Sequence, residues 1–267
     1  MNQPVLHQKT VLDIARFIAD NHPEVVAYFV ENRRQLLADL ICKTHNNAVA
    51  HGPLKGMRLH QSAHWGRADK AAMILGIYEE EVLSDLARQK GRYKTFIDLG
   101  AADGFYGVGV LVGGLFERSY CFEIAEAGQR IIQETAALNQ VSNRVRVFGE
   151  AKPDFASLIA PEDLADAVLF VDIEGAEFDL FSPRVFEDFR RSRIYIELHD
   201  WFFPDAANRV EKLKNESKLT HRWSEVSTSA RDPSRFPELR NLCDTDRWLI
   251  CSEGRGRLMR WAILDPI

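Results

Sequence analysis

The sequence has no run approaching the roughly 20 apolar residues that span a bilayer, and no apolar stretch follows a basic region near its start. Neither a membrane span nor a secretory leader is expected. Basic excess is missing too. With 34 Lys and Arg against 39 Asp and Glu, the net charge is −5, so no general pull toward nucleic acid or anionic lipid is expected. Cysteine is scarce: Cys42, Cys121, Cys243 and Cys251 occur without CxxC spacing. That argues against a disulfide framework and for reduced thiols in a cytoplasmic protein, where the sequon Asn215-Glu216-Ser217 is accidental. Internal repeats, low-complexity tracts and the phosphate-cradling G-x-G-x-x-G are also absent.

What is present suits a sizeable globular core, with 46% hydrophobic residues in 267. Residues 1–50 read as a helical cap. Val11, Ile14, Ala15 and Ile18 share one face, Pro23 opens a second helix, and Val26, Phe29, Val30, Leu37, Leu40 and Ile41 form its stripe. The sharper use of that cap is a lid or a homo-oligomer interface. Residues 51–267 form the main domain. A turn and short extended piece at Gly52–Leu59 precede helices at 69–78 and 79–89. Strands are expected at 95–99, 119–123, 144–148, 167–172 and 193–198, with helices at 105–116, 126–139, 176–189 and 205–216 between them. This alternation predicts an α/β, Rossmann-like, mostly parallel sheet. A sixth strand at Thr220–Val226 and a hairpin of Trp248–Cys251 with Met259–Leu264, around Glu253–Gly256, close it.

Chemistry gathers at the strand ends. Phe96-Ile97-Asp98-Leu99-Gly100-Ala101-Ala102-Asp103-Gly104 is a buried strand, a tight turn and a helix start, with glycine where the backbone turns left-handed or must lie against a ligand. Open α/β sheets bind ligands at this end. Glu123 ends the second strand 19 residues after Gly104, the distance at which a carboxylate accepts hydrogen bonds from a ribose diol. Glu150 and Ala151 follow the third strand and border the base in such folds. After the fourth come Asp172, Glu174 and Glu177. Helix capping accounts for Glu177, and in part for Glu174, but poorly for Asp172. On the fifth, period-two alternation puts Glu197 and His199 on one side, beside Asp172.

The loop D-x-G-x-x-x-G from Asp98 to Gly104 resembles the first motif of class I S-adenosylmethionine (SAM) methyltransferases. Val171-Asp172-Ile173-Glu174-Gly175-Ala176-Glu177 resembles the D-x-E-G-A-E run of FkbM-type methyltransferases, as do Gly52–Gly56, Leu75–Glu79 and Ile196–Asp200 of their relatives. The likeness covers residues 52–265. It implies the class I methyltransferase sheet, SAM as cofactor, and O-methylation of a small-molecule or glycan acceptor such as a sugar or secondary metabolite. Asp98, Gly100, Ala101, Asp103, Gly104, Glu123, Glu150, Ala151, Asp172 and Tyr78 would then hold the cofactor, with Glu79 helping Tyr78 close over it. Ala101-Ala102-Asp103 departs from the Ala-Asn-x-Gly of relatives, and Asp103 would take over the asparagine's contact.

His199 is the preferred general base, as the side chain that ordinarily titrates near neutrality, with Glu197 or Asp172 orienting it. The alternative is Mg²⁺ or Mn²⁺ on Asp172, Glu197 and His199, lowering the acceptor hydroxyl's pKa; no metal ligand set is favoured. His60 and His64 lack the Glu of H-E-x-x-H, and Gly107, Gly109 and Gly113 read as helix-packing glycines. A dehydrogenase, a nucleic-acid amino-methyltransferase (Asp172-Ile173-Glu174-Gly175 stands where Asn/Asp-Pro-Pro-aromatic is usual) and a silent binding module are the rivals. Trp201, Phe202 and Phe203 with loop 227–246 are candidates to wall the acceptor, and Arg231, Arg235 and Arg240 to meet an anionic one.

Overall fold

Short aromatic and β-branched runs build the sheet. The computed structural model describes residues 8–267; the first seven residues of the helical cap lie outside them. The strands are β1 (Thr95–Leu99), β2 (Arg118–Phe122), β3 (Val145–Phe148), β4 (Ala167–Val171), β5 (Arg193–Glu197), β6 (His221–Ser227) and β7 (Arg260–Pro266). Their order across the sheet is β3-β2-β1-β4-β5-β7-β6. The first five pair in parallel, and β7 runs antiparallel to both β5 and β6. The expected α/β, mostly parallel sheet with an antiparallel end is the one observed.

The helices are α1 (Gln8–Asn21), α2 (Pro23–Thr44), α3 (Lys70–Leu75), α4 (Glu80–Ala87), α5 (Phe105–Val112) and α6 (Glu126–Leu138). They continue as α7 (Pro161–Leu164), α8 (Glu177–Leu180), α9 (Pro183–Asp188), α10 (Ala206–Ser217) and α11 (Asp244–Cys251). Every residue of β1, β4 and β5 is buried, as continuous apolar runs require when both sheet faces are covered. Alternation divides their side chains between two cores. Phe96, Phe170 and Tyr195 face one, with α5 residues and Leu37 and Ile41 of α2. Ile97, Leu169 and Ile194 face the other, with Phe178, Phe186 and Phe189.

Three expectations change. Trp248–Cys251 is the end of α11, not a strand, because Asp244 and Asp246 in its first turn suit a helix N-terminus. The antiparallel pair is β6 with β7, and residues 228–259 form a long excursion between them. The helix expected at 176–189 is two, α8 and α9, broken where Pro183 removes an amide donor and starts the second. The long stripe on α2 is only half used: Leu37 and Ile41 are buried, whereas Phe29 is 62% and Leu40 45% exposed.

The glycines of α5 do pack closely. A Cβ on Gly107 would lie 2.3 Å from Cys121 Sγ, and one on Gly113 2.3 Å from the Pro53 carbonyl oxygen. Overpacking of this kind typically costs about 1–3 kcal/mol. Gly107→Ala is therefore expected to lower the unfolding free energy by about that amount in urea denaturation. Gly256→Ala, where a Cβ meets nothing within 4 Å, is expected to stay within about 0.5 kcal/mol of wild type.

Candidate functional site

The chain after β1 is folded against the ends of its two neighbours. Gly100 and Ala101 N–H both donate to the Phe122 carbonyl, at 2.9 and 3.0 Å, and Asp172 N–H donates to Leu99 O at 2.9 Å. Gly100 has φ +87°, and a Cβ there would stand 1.7 Å from the Asp172 carbonyl oxygen. So the neighbouring strand end by itself requires glycine here. Gly104 is likewise a structural residue, a left-handed cap on α5 packed against Val108 and Ile132.

Glu123 ties the turn to its neighbour. One carboxylate oxygen accepts Ala102 N–H at 2.9 Å and the other Ala125 N–H at 2.7 Å. A carboxylate has about four acceptor positions, so two remain for ligand hydroxyls. Asp103 is also engaged: it accepts His64 N–H at 3.0 Å and Trp65 N–H at 3.3 Å. It thereby holds segment 60–66 over the turn, and Lys70 Nζ steadies that segment by donating to the His60, Gln61 and Ser62 carbonyls.

Between these parts lies a cavity of about 370 Å³ at the carboxyl ends of β1, β2 and β4. All the expected cofactor residues line it except Gly104: Tyr78, Asp98, Gly100, Ala101, Asp103, Glu123, Glu150, Ala151 and Asp172. The sequence reading missed His60, Ser62, His64, Trp65, Lys70 and Met73 as a wall; only the fold brings that loop here. Glu79 does not close over the cavity. It is buried, accepts a hydrogen bond from Tyr106 Oη at 2.8 Å and pairs with Arg255.

Glu197 and His199 converge on Asp172 as alternation predicts, but neither lines the cavity wall. His199 Nε2 lies 3.6 Å from Asp172 Oδ1, 3.4 Å from Glu174 Oε2 and 3.7 Å from Glu197 Oε2. The ring stacks on Phe202 at 5.8 Å. Glu177, fully buried, accepts Gly175 N–H and His199 N–H, each at 2.8 Å. It stands in the first turn of α8, but both amides it binds lie outside that helix, so it ties the turn after β4 to the chain after β5. Glu197 is anchored on its far side by Arg255 at 2.8 Å, and Arg255 also pairs with Glu253 at 2.9 Å.

Of the expected acceptor wall, Phe203 packs on Phe178 and under Arg209, while Arg257 covers Trp201 at 4.9 Å. Arg231 is spent on Glu81 and Glu253, and Arg235 on Glu80. These two arginines fasten the excursion to α4 instead of awaiting an anion.

Burial, helped by the charge of Asp172, pushes the Asp98 carboxyl up to about 8. Its Oδ2 has no hydrogen-bond partner although the residue is 2% exposed. Burial and Asp172 push Glu197 well above the usual carboxylate range too. At His199, burial pulls the imidazole down, but Glu177, Asp172 and Glu174 outweigh it and the net shift is upward.

Comparison with protein-family models gives no match, and comparison with curated protein sequences gives none either. Among solved structures, the chain is similar to the Bacillus subtilis m1A22 tRNA methyltransferase TrmK, with 9% identity and TM-score 0.45, over 68% of this chain and 64% of that one. It is similar to the O-methyltransferase TomG of Streptomyces achromogenes, solved with SAM, at 13% identity and TM-score 0.48 over 70% of this chain and 79% of that one. The precorrin 8w decarboxylase of Methanobacterium thermoautotrophicum matches at 13% and 0.43, over 72% of this chain and 91% of that one. Similarity at such identities shows the fold and decides neither reaction nor acceptor.

The raised Asp98 has a consequence for stability. An acid whose folded pKa exceeds its unfolded value favours the folded state below both, and that advantage is lost as pH rises from about 4 toward 8. Asp98→Asn, which stays neutral, is expected to remove that part of the pH dependence. The difference in unfolding free energy between the variant and wild type should shift in the variant's favour from pH 4 to pH 8.5. A difference independent of pH would show that Asp98 is ionised in the folded protein.

Proposed function

We propose that the chain is a SAM-dependent methyltransferase that methylates a hydroxyl oxygen of a small-molecule or glycan acceptor. The observation that carries this is the charge of the cavity. Asp103, Glu123, Glu150, Asp172 and Glu174 line it as acids, against Lys70, whose ammonium is already occupied by three carbonyls. A pyrophosphate placed there meets carboxylates and no glycine-rich cradle at a helix N-terminus. A cofactor bearing a sulfonium and an ammonium meets complementary charge. The two free acceptor positions of Glu123 suit ribose hydroxyls. Bound there, the cofactor supplies an electrophilic methyl group.

The β3-β2-β1-β4-β5-β7-β6 order and the FkbM-like run at Asp172–Glu177 support the same reading. A nucleic-acid acceptor is disfavoured by the acid rim and the net charge of −5. No helix among the described residues is long and apolar enough to cross a membrane. The buried, unpaired Cys42, Cys121 and Cys251 fit a reducing, cytoplasmic setting.

In this reading the acceptor hydroxyl docks at the Asp172 end of the cavity. The oxygen–methyl bond forms as the carbon–sulfur bond breaks, its electron pair stays on sulfur, and the hydroxyl proton is drawn off at the cluster around His199. Positioning supplies much of the rate, and activation of the hydroxyl typically adds about 10²–10⁴-fold. The cluster offers two activations: the imidazole takes the proton itself, or a cation held by the same atoms acidifies the hydroxyl.

Calorimetric titration with S-adenosylhomocysteine and SAM, with NAD as control, tests the assignment. Both sulfur ligands are expected to bind and NAD not to. Glu123→Gln, which keeps the side chain's shape, is expected to weaken S-adenosylhomocysteine binding at least tenfold, about 1.4 kcal/mol. Folded protein that ignores both sulfur ligands, or that prefers NAD, overturns the assignment.

A further inference from the structure

We infer that Asp172, Glu174 and His199 form a binding site for one hard divalent cation, Mn²⁺ or Mg²⁺, opening on the strand-end cavity. Each offers one ligand atom, and the three atoms lie within 4.8 Å of one another. Ligands at about 2.1 Å from a shared ion stand some 3–4 Å apart, so small side-chain rotations close the set. This differs from the set considered from sequence alone: Glu174 replaces Glu197, whose other oxygen is committed to Arg255.

The state of the two inner ligands points to a missing partner. The His199 side chain is 3% exposed, and neither ring nitrogen makes a hydrogen bond of normal length. Nε2 faces three carboxylates at 3.4–3.7 Å. Asp172 Oδ1, directed at the same space, is buried and makes no hydrogen bond of normal length. Buried polar atoms are satisfied in the great majority of cases, and one ion between Nε2, Oδ1 and the Glu174 carboxylate would satisfy all of them.

The surroundings suit ligation. Glu177 Oε1 lies 3.5 Å from His199 Nδ1 while holding the backbone N–H of the same residue at 2.8 Å. With a cation on Nε2 the ring proton would sit on Nδ1, facing the Glu177 carboxylate, the usual support of a metal-bound histidine. Phe202 stacks on the ring and fixes its plane. Two carboxylates with one imidazole suit Mn²⁺ or Mg²⁺ better than a thiophilic metal. Asp172 and Glu174 line the cavity whereas His199 does not. The imidazole therefore reaches an acceptor more readily through a shared ion than by direct contact.

That role rests on the methyltransferase reading above, since the ion's open positions would hold and acidify the acceptor hydroxyl. The site itself does not. The test uses the full chain, stripped with a chelator, without cofactor, and titrated with Mn²⁺ alone by electron paramagnetic resonance. One ion per chain is expected, with nitrogen modulation in the pulsed spectrum from His199. Glu174→Gln changes a half-exposed side chain and is expected to weaken binding at least tenfold at unchanged unfolding midpoint. His199→Gln is expected to abolish the nitrogen modulation. No stoichiometric binding below millimolar Mn²⁺ overturns the site and leaves an imidazolium paired with acids. So does binding that Glu174→Gln leaves unchanged or that shows no nitrogen. S-adenosylhomocysteine binding without Mn²⁺ binding would remove only the cation. Mn²⁺ binding without S-adenosylhomocysteine binding would remove only the methyltransferase reading.

Discussion

Like charge crowded at one edge of the sheet is the constraint on which the site depends. Glu123 after β2, Asp172 after β4 and Glu197 at the end of β5 stand at one level of the parallel register, and Asp98 in β1 lies two residues below them. In a poorly solvated space, such carboxylates cannot all stay ionised without compensation. The protein compensates in three ways. Asp98 and Glu197 are held toward their neutral forms. Glu123 and Glu177 are satisfied by backbone amides. Glu79 and Glu197 receive a guanidinium.

That guanidinium explains the long excursion between β6 and β7. Arg255 comes from residues 228–259, far in sequence from Glu79 and Glu197, and its place is secured by others. Arg231 donates to Glu81, Glu253 and the Ile77 carbonyl. Arg34 on α2 reaches the Ser252 carbonyl at 2.9 Å. Removing one partner of such a buried pair typically costs about 3–5 kcal/mol, because the other charge is left stranded. The excursion and the lower half of α2 therefore belong to the site's support.

The same facts explain what was legible in the sequence. Apolar runs ending in acids marked β1, β2, β4 and β5, and period-two alternation correctly joined Glu197 to His199. These are local signals. Arg255 carried none, because a pairing between distant loops leaves no period behind. Asp103 lines the cavity as expected but also holds His64 and Trp65, and Gly100 lies against the Asp172 carbonyl as well as on the cavity. Each depends on a segment whose approach only the tertiary structure reveals. At Trp248–Cys251 a short apolar run was ambiguous between strand and helix, and the acids before it decided for helix.

The spacing Asp172, Glu174, Glu177 then has a physical reason beyond resemblance. Glu174 and Gly175 are both left-handed, with φ +53° and +100°, so the chain doubles back immediately after β4. The turn leaves Asp172 and Glu174 on the cavity and returns Glu177 to the interior, where it binds Gly175 N–H within the turn and His199 N–H on β5's extension. One buried glutamate thus fixes both the shape of the acidic loop and the position of the histidine that faces it. Two acids without the third would reach the cavity on an unsupported turn. The third alone would hold His199 with no carboxylates opposite Nε2.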